Sequence, residues 1–167
     1  MAVYANFSVS GEEDILRQNI LSKTIASSFS TTTSITTSVP PGGLFTFTTP
    51  AISPSMDFSA TANTVTINRK GVYSYDFSIL SDADIVISLA TVTGNSAPVI
   101  TTRNNGYTFG ATPKMIKHSG FFAVDNAGLK VQLMNAGGVT CTSSSANFAG
   151  NTIPALFFNI LRVGDLA

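Results

Sequence analysis

Gly71-Val72-Tyr73-Ser74-Tyr75-Asp76-Phe77-Ser78-Ile79 is the stretch on which the fold turns. Tyr73, Tyr75, Phe77 and Ile79 alternate with Ser74, Asp76 and Ser78. Side chains two apart share a face only in an extended strand, so this strand has one core face and one polar face. The same signal repeats on either side. Upstream, Val65 and Ile67 alternate with threonines, and Arg69-Lys70-Gly71 turns the chain into the aromatic strand. Earlier still, Leu44-Phe45-Thr46-Phe47-Thr48 places two phenylalanines on one face after the Pro40-Pro41-Gly42-Gly43 stop, and the uncharged, β-branched run Ser27 to Val39 suits extended chain.

Downstream, Ile85, Ile87 and Leu89 continue the theme until Gly94-Asn95-Ser96-Ala97-Pro98 closes it. Thr101 to Thr112 is polar and rich in Gly and Asn, which reads as a long loop or an edge strand. Phe121 to Val124 is a short apolar run, Asp125-Asn126-Ala127-Gly128 a turn, and Leu129 to Leu133 a strict alternation. Thr140-Cys141-Thr142 is β-like and Ser143 to Asn151 a loop. The closing run Leu156-Phe157-Phe158-Asn159-Ile160-Leu161-Arg162-Val163 is apolar on both faces and should be central and buried. About eight short strands separated by turn signals predict an all-β fold, a sandwich of two antiparallel sheets or a jelly roll.

A chain of 167 residues holds one domain, or one domain and an arm. Charged residues make up 11%, against about 25% in ordinary globular proteins, while 44% are hydrophobic, which excludes disorder as the overall state. Nine basic side chains offset nine acidic ones, so no net field draws the chain to nucleic acid or anionic membranes. Ser and Thr supply 41 of the 167 positions, a surface of hydroxyls more than ions. No run of 18 apolar residues is present to span a membrane, and the first residues lack the pattern of a secretory signal peptide.

Reactive residues are scarce. The single Cys141 excludes an intrachain disulfide, and the single His118 cannot build a multi-histidine metal site. With one His, one Cys and scattered Asp, no catalytic constellation assembles and no cofactor is implied, so the chain is not expected to be an enzyme. Asp82 and Asp84 are spaced to share a hard cation on a loop, although a solvated turn uses the same residues. Asn104, Asn105 and Tyr107 offer amides and a ring that suit a sugar, although a tyrosine capping the sandwich is the plainer role.

Residues 1–29 form a separate N-terminal segment. Ser10 and Glu13 have capping-box spacing, with Glu12, Glu13 and Asp14 in the first turn, which predicts a short helical or extended arm ahead of a domain over 30–167. Ile15, Leu16, Ile20, Leu21 and Ile25 do not fall on one narrow stripe, so the arm is expected to bury more than one face, against its own domain or against a scaffold protein of a larger particle.

The strand beginning at Gly71 resembles the G-x-Y-x-F motif of the complement globular-head and tumour-necrosis-factor-like jelly rolls. Ser119-Gly120 through Leu133 is similar to that superfamily's S-G-x-x-x-L-x-x-G-D-x-V-x-L hairpin, with Leu129 where an acidic residue often follows the glycine. Pro154 to Val163 is similar to the closing strand in the C-terminal domains of collagen-like exosporium glycoproteins of spores, and the whole resemblance covers about residues 30–163 without any collagen repeat. It implies a compact homotrimer. The excess of aromatic surface supplies a physical reason for one, and Tyr73, Tyr75, Phe77, Phe157, Phe158 and Ile160 are the expected interface residues. The function expected is a structural surface module of a spore or virion. The rival expectation is a receptor- or carbohydrate-binding head that uses the loops of the same fold.

Overall fold

The computed structural model describes residues 28–34, 36–53, 57–94, 96, 99–100 and 114–166. The expected helix of the N-terminal arm, with Ile15, Leu16, Ile20, Leu21 and Ile25, lies outside the described residues, and so do Asn104, Asn105 and Tyr107. Among the described residues the strands run β1 (Ser28–Thr33), β2 (Thr37–Val39), β3 (Thr49–Ser53), β4 (Phe58–Ala60), β5 (Val65–Ile67), β6 (Gly71–Ser81) and β7 (Ile87–Val92). They continue with β8 (Val99–Ile100), β9 (Lys114–Val124), β10 (Leu129–Asn135), β11 (Cys141–Ser143), β12 (Ala146–Phe148), β13 (Asn151–Ile153) and β14 (Leu156–Gly164).

Two antiparallel sheets face each other. In the first, β3-β1-β14-β6 lie side by side, β9 pairs with β6 along its whole length, and β2-β11 joins at Ser143↔Ser81. The second has the order β4-β5-β10-β7-β8, and β12-β13 is a separate hairpin. β4-β5 and β7-β8 are consecutive pairs, whereas β1-β14, β6-β14, β6-β9, β5-β10 and β7-β10 join strands distant in sequence, as the crossing connections of a jelly roll require.

The alternation on β6 places Tyr73, Tyr75, Phe77 and Ile79 inward, where β14 registers Arg162, Ile160, Phe158 and Leu156 beside them. The second sheet closes the core with Val65, Ile67, Leu89, Val131 and Leu133. Phe29, Phe47 and Phe158 form a three-ring cluster with centroids 5.6–5.9 Å apart. Such contacts add about 0.5–1.5 kcal/mol per ring pair beyond area burial.

Arg162 is fully buried at the end of this core. Its guanidinium donates to the Lys70 carbonyl and pairs with Asp165, so the buried cation is both hydrogen-bonded and neutralised. Gly71 makes room for it. With φ at +155°, a Cβ here would lie 2.6 Å from the Gly164 carbonyl oxygen and 2.9 Å from Arg162 Nε.

Several details differ from the sequence reading. Ser28 and Phe29 belong to β1, and Phe29 is fully buried, so the sandwich includes the last two residues assigned to the arm. Phe45 and Phe47 are both buried, but only Leu44 forms a bridge, to Met134 of β10, while the Phe47 N–H goes to Ala62 between β4 and β5, so Leu44–Thr48 is not a regular strand. Phe121–Val124 is only the end of an eleven-residue strand. The expected loop after Ser143 contains the β12-β13 hairpin, turned by Ala149 and Gly150 at positive φ. β14 is central, between β1 and β6, yet only one of its faces is fully buried.

Phe158→Ala should lower the unfolding free energy by about 3–5 kcal/mol in urea denaturation, because a fully buried ring is replaced by a cavity. Phe157→Ala on the other, half-buried face should cost no more than about 1 kcal/mol.

Candidate self-association face

The polar phases of β14, β6 and β9 make up the outer face of the first sheet. Antiparallel register sets Asp76 between Asn159 and Ser119, and Ser78 between Phe157 and Lys117. Ser78 and Ser119 are short, and between the taller Phe157 and Lys117 the surface sinks into an open depression of about 590 Å³. Asn159 Nδ2 donates to Asp76 Oδ1 at 3.0 Å, which fixes the carboxylate at its rim. Asp76 and Lys117 thus put one charge of each sign on the same concave surface.

The strand bordering this depression, β9, has β6 as its one partner among the described residues. Its inward residues Ile116 and Val124 are buried. Its outward residues carry the largest exposed apolar side chain of the sheet: Phe121 is 69% exposed and Met115 40%. Val163 at the end of β14 is 36% exposed, and Phe157 and Leu161 before it are half-buried. An eleven-residue edge strand bearing an exposed aromatic ring is a surface that soluble proteins ordinarily cover or charge.

His118 belongs to the inward phase of β9, but at the sheet edge it also reaches the depression. Its ring stacks on Tyr75 at 5.8 Å and lies 5.9 Å from Phe77. Its Nδ1 is 3.2 Å from Tyr75 Oη. Gly120 lets the two rings meet, since a Cβ there would lie 2.9 Å from that hydroxyl. Burial pushes the imidazole below its ordinary value, which favours the neutral ring in the folded chain.

The six expected interface residues divide sharply. Tyr73, Tyr75, Phe77, Phe158 and Ile160 are at most 2% exposed inside the chain's own sandwich, so no surface of theirs is left for a neighbour. Only Phe157 faces outward. The correction follows from parity: the rings counted as surplus occupy the inward phase, and the uncovered apolar side chains lie on the outward phase and at the β9 edge. Met115, Phe121 and Val163 were missed individually, although the alternation Met115, Lys117, Ser119, Phe121 against Ile116, His118, Gly120, Phe122 was present in the sequence to be read.

The remaining sequence candidates are not brought together. Asp82 accepts a hydrogen bond from the Thr142 backbone N–H, which holds its carboxyl below the usual range, while Asp84 pairs with Lys114. The two carboxylates thus have separate partners. Cys141 is buried in β11, where desolvation pushes the thiol up, and His118 stacks on β6 side chains instead. Among the described residues no group of three metal-ligating side chains occurs, and no helix is long and apolar enough to cross a membrane.

No protein-family model matches the chain, and a search of curated proteins finds no relative. Solved structures do match. The tumour necrosis factor Eiger of S. frugiperda superposes with a TM-score of 0.60 at 16% identity, over 84% of this chain and 93% of that one. The globular domain of zebrafish complement 1qA gives 0.52 at 16% identity, over 80% and 93%. Murine APRIL gives 0.51 at 10% identity, over 81% and 98%. The fold is therefore the jelly roll of the complement globular-head and tumour-necrosis-factor-like proteins.

His118 makes the folded state pH-sensitive. Because its folded pKa lies below the free value of 6.5, its contribution to stability is fully present above that value and is lost as pH falls through the lowered folded pKa. Urea midpoints should therefore drop between pH 7.5 and 5, and His118→Gln should flatten that part of the profile. An NMR titration of the imidazole should place its midpoint below 6.5.

Proposed function

We propose that this chain is a non-enzymatic structural module that assembles with copies of itself, as a homotrimer, through the outer face of the first sheet and the β9 edge. The observation that carries this reading is the exposed Phe121 on an edge strand beside a depression rimmed by Phe157, Asp76 and Lys117. Phe121 at the β9 edge and the depression are separate patches of one outer face. Contact between them is heterologous, and a rotation that closes produces a ring in which every copy gives one surface and receives the other. Asp76 and Lys117 then offer each copy's depression a balanced pair of charges for its neighbour. The jelly-roll fold agrees with this arrangement, as does the scarcity of charge that would repel around a three-fold axis.

Display on the surface of a spore or virus particle is the setting this reading favours. A hydroxyl-rich, weakly charged exterior and a core filled by aromatic rings suit a module whose task is shape and durability. Residues 1–27 would then join the head to a scaffold protein of the particle.

Light scattering should give three times the 17.4 kDa chain mass. Phe121→Asp should yield a monomer with an unchanged circular dichroism spectrum, while Val139→Asp, which alters another exposed apolar residue, should leave the assembly intact. A monomeric native chain, or a Phe121→Asp variant that still assembles, would remove the reading.

A further inference from the structure

The outer face of the first sheet holds two opposite charges that the chain does not pair with each other. Asp76 registers with Ser119 and Ser78 with Lys117, so Asp76 and Lys117 are diagonal neighbours on adjacent strands. Long side chains can reach across such a diagonal. Here the two groups stay apart. Asn159 Nδ2 donates to Asp76 Oδ1 at 3.0 Å and draws the carboxylate toward β14, the side away from β9. Lys117 is exposed and has no hydrogen-bond or ion-pair partner among the described residues.

Other cations of the described chain are engaged. Arg69 pairs with Asp57, Lys114 with Asp84 and Arg162 with Asp165, while Lys130 donates to the Gly94 carbonyl. Lys70 projects from the turn before β6. Lys117 is thus left unpaired on the very face that self-association would cover. An ammonium in water needs no partner, but one covered by protein loses its hydration and must meet a countercharge. Asp76 is the carboxylate that lines the depression. Lys117 also shares the outward phase of β9 with Phe121, four residues on and about 13 Å along the strand. One edge therefore carries an apolar anchor and a charge at a fixed separation.

We infer that Lys117 of each copy pairs with Asp76 of the next, and that this pair sets the register of the β9 edge on its neighbour. The inference rests on the self-association reading and adds the residues that decide orientation within it. Asn159 is a positioning residue that keeps Asp76 turned to the rim. In a closed ring every copy gives one lysine and receives one, so no charge is left over. A docking shifted by one row would set the ammonium over the Phe157 or the Leu161 row and leave both charges covered and unmatched.

The test exchanges the two charges in the full chain, Asp76→Lys together with Lys117→Asp. Native and exchanged chains are dissociated, mixed with one of them isotope-labelled, reassembled and weighed by native mass spectrometry. Every contact between unlike chains then sets like charges against each other, so the two should sort into separate trimers, with mixed species at least about tenfold below random mixing. A pair formed within each chain survives the exchange and gives random mixing, which would overturn the inference. Asp76→Lys alone and Lys117→Asp alone should each raise the concentration of half-dissociation by about a hundredfold, and the double exchange should recover most of that loss. If the exchanged chain does not fold, Lys117→Gln at its exposed position decides: assembly as tight as that of the native chain would overturn the pair. A monomeric native chain removes this inference together with the assembly, whereas a native trimer that mixes freely with the exchanged chain removes this one alone.

Discussion

The structure depends on the packing of the inward row of β6 between β14 and β9. Tyr73, Tyr75, Phe77 and Ile79 touch both neighbours in their own sheet and the second sheet across the core. Each ring is large, and the two tyrosines have polar tips that must be satisfied. Tyr73 Oη donates to the Arg69 carbonyl at 2.8 Å, and Tyr75 Oη meets His118. The polar ends therefore lie at the margins of the sandwich and the apolar bodies inside it, which fixes the register of β6 against both neighbours. A slip of one residue would turn Ser74, Asp76 and Ser78 inward and expose four large side chains.

That constraint also decides what the outer face can be. Since β6 devotes its apolar residues to the core, its outward phase is serine and aspartate, and the low relief between Phe157 and Lys117 follows. β9, at the edge, has less to cover and retains Phe121 on its outward phase. Apolar exposure on the first sheet is thus concentrated at its β9 side, which makes the surface directional. The outer face of the second sheet at β5 and β10 is threonine, glutamine and lysine, with exposed Val99 on its β8 edge.

The sequence made the architecture legible because period-two alternation is a local signal and β5, β6, β10 and much of β14 carry it. β6, β10 and the closing strand could be placed to within a residue or two; a sandwich or jelly roll followed from their number and spacing, and the jelly roll from the resemblance carried by the Gly71 strand. The face proposed for self-association was less legible. A count of phenylalanines says that apolar surface is abundant but not which phase of a strand faces a neighbour, and Phe157 and Phe158 are adjacent letters with opposite fates. Parity within β14 is set by its pairing with β1 and β6, a long-range property. β9 was harder still, since Lys114, Lys117, His118 and Ser119 dilute its alternation until the register with β6 is known.

Arg162 shows where local reading meets its limit. A lone arginine in an apolar closing strand looks like an interruption, or a residue bound for solvent. In the fold it is the last inward residue of β14 and fully buried. It is stable there because three separate features converge: the Lys70 carbonyl accepts from it, Asp165 neutralises it, and Gly71 lacks the side chain that would displace it. None of these is adjacent to Arg162 in sequence, and two come from the turn that starts β6. The guanidinium thus ties the end of the closing strand to the beginning of the aromatic strand, at the point where Tyr73 also bonds to Arg69. A buried charge is costly unless all its donors and its countercharge are provided, so this position selects the turn and both strand ends together. In a protein with so few ions, the one buried in the core among the described residues closes the same β6–β14 pairing from which the outer face is built.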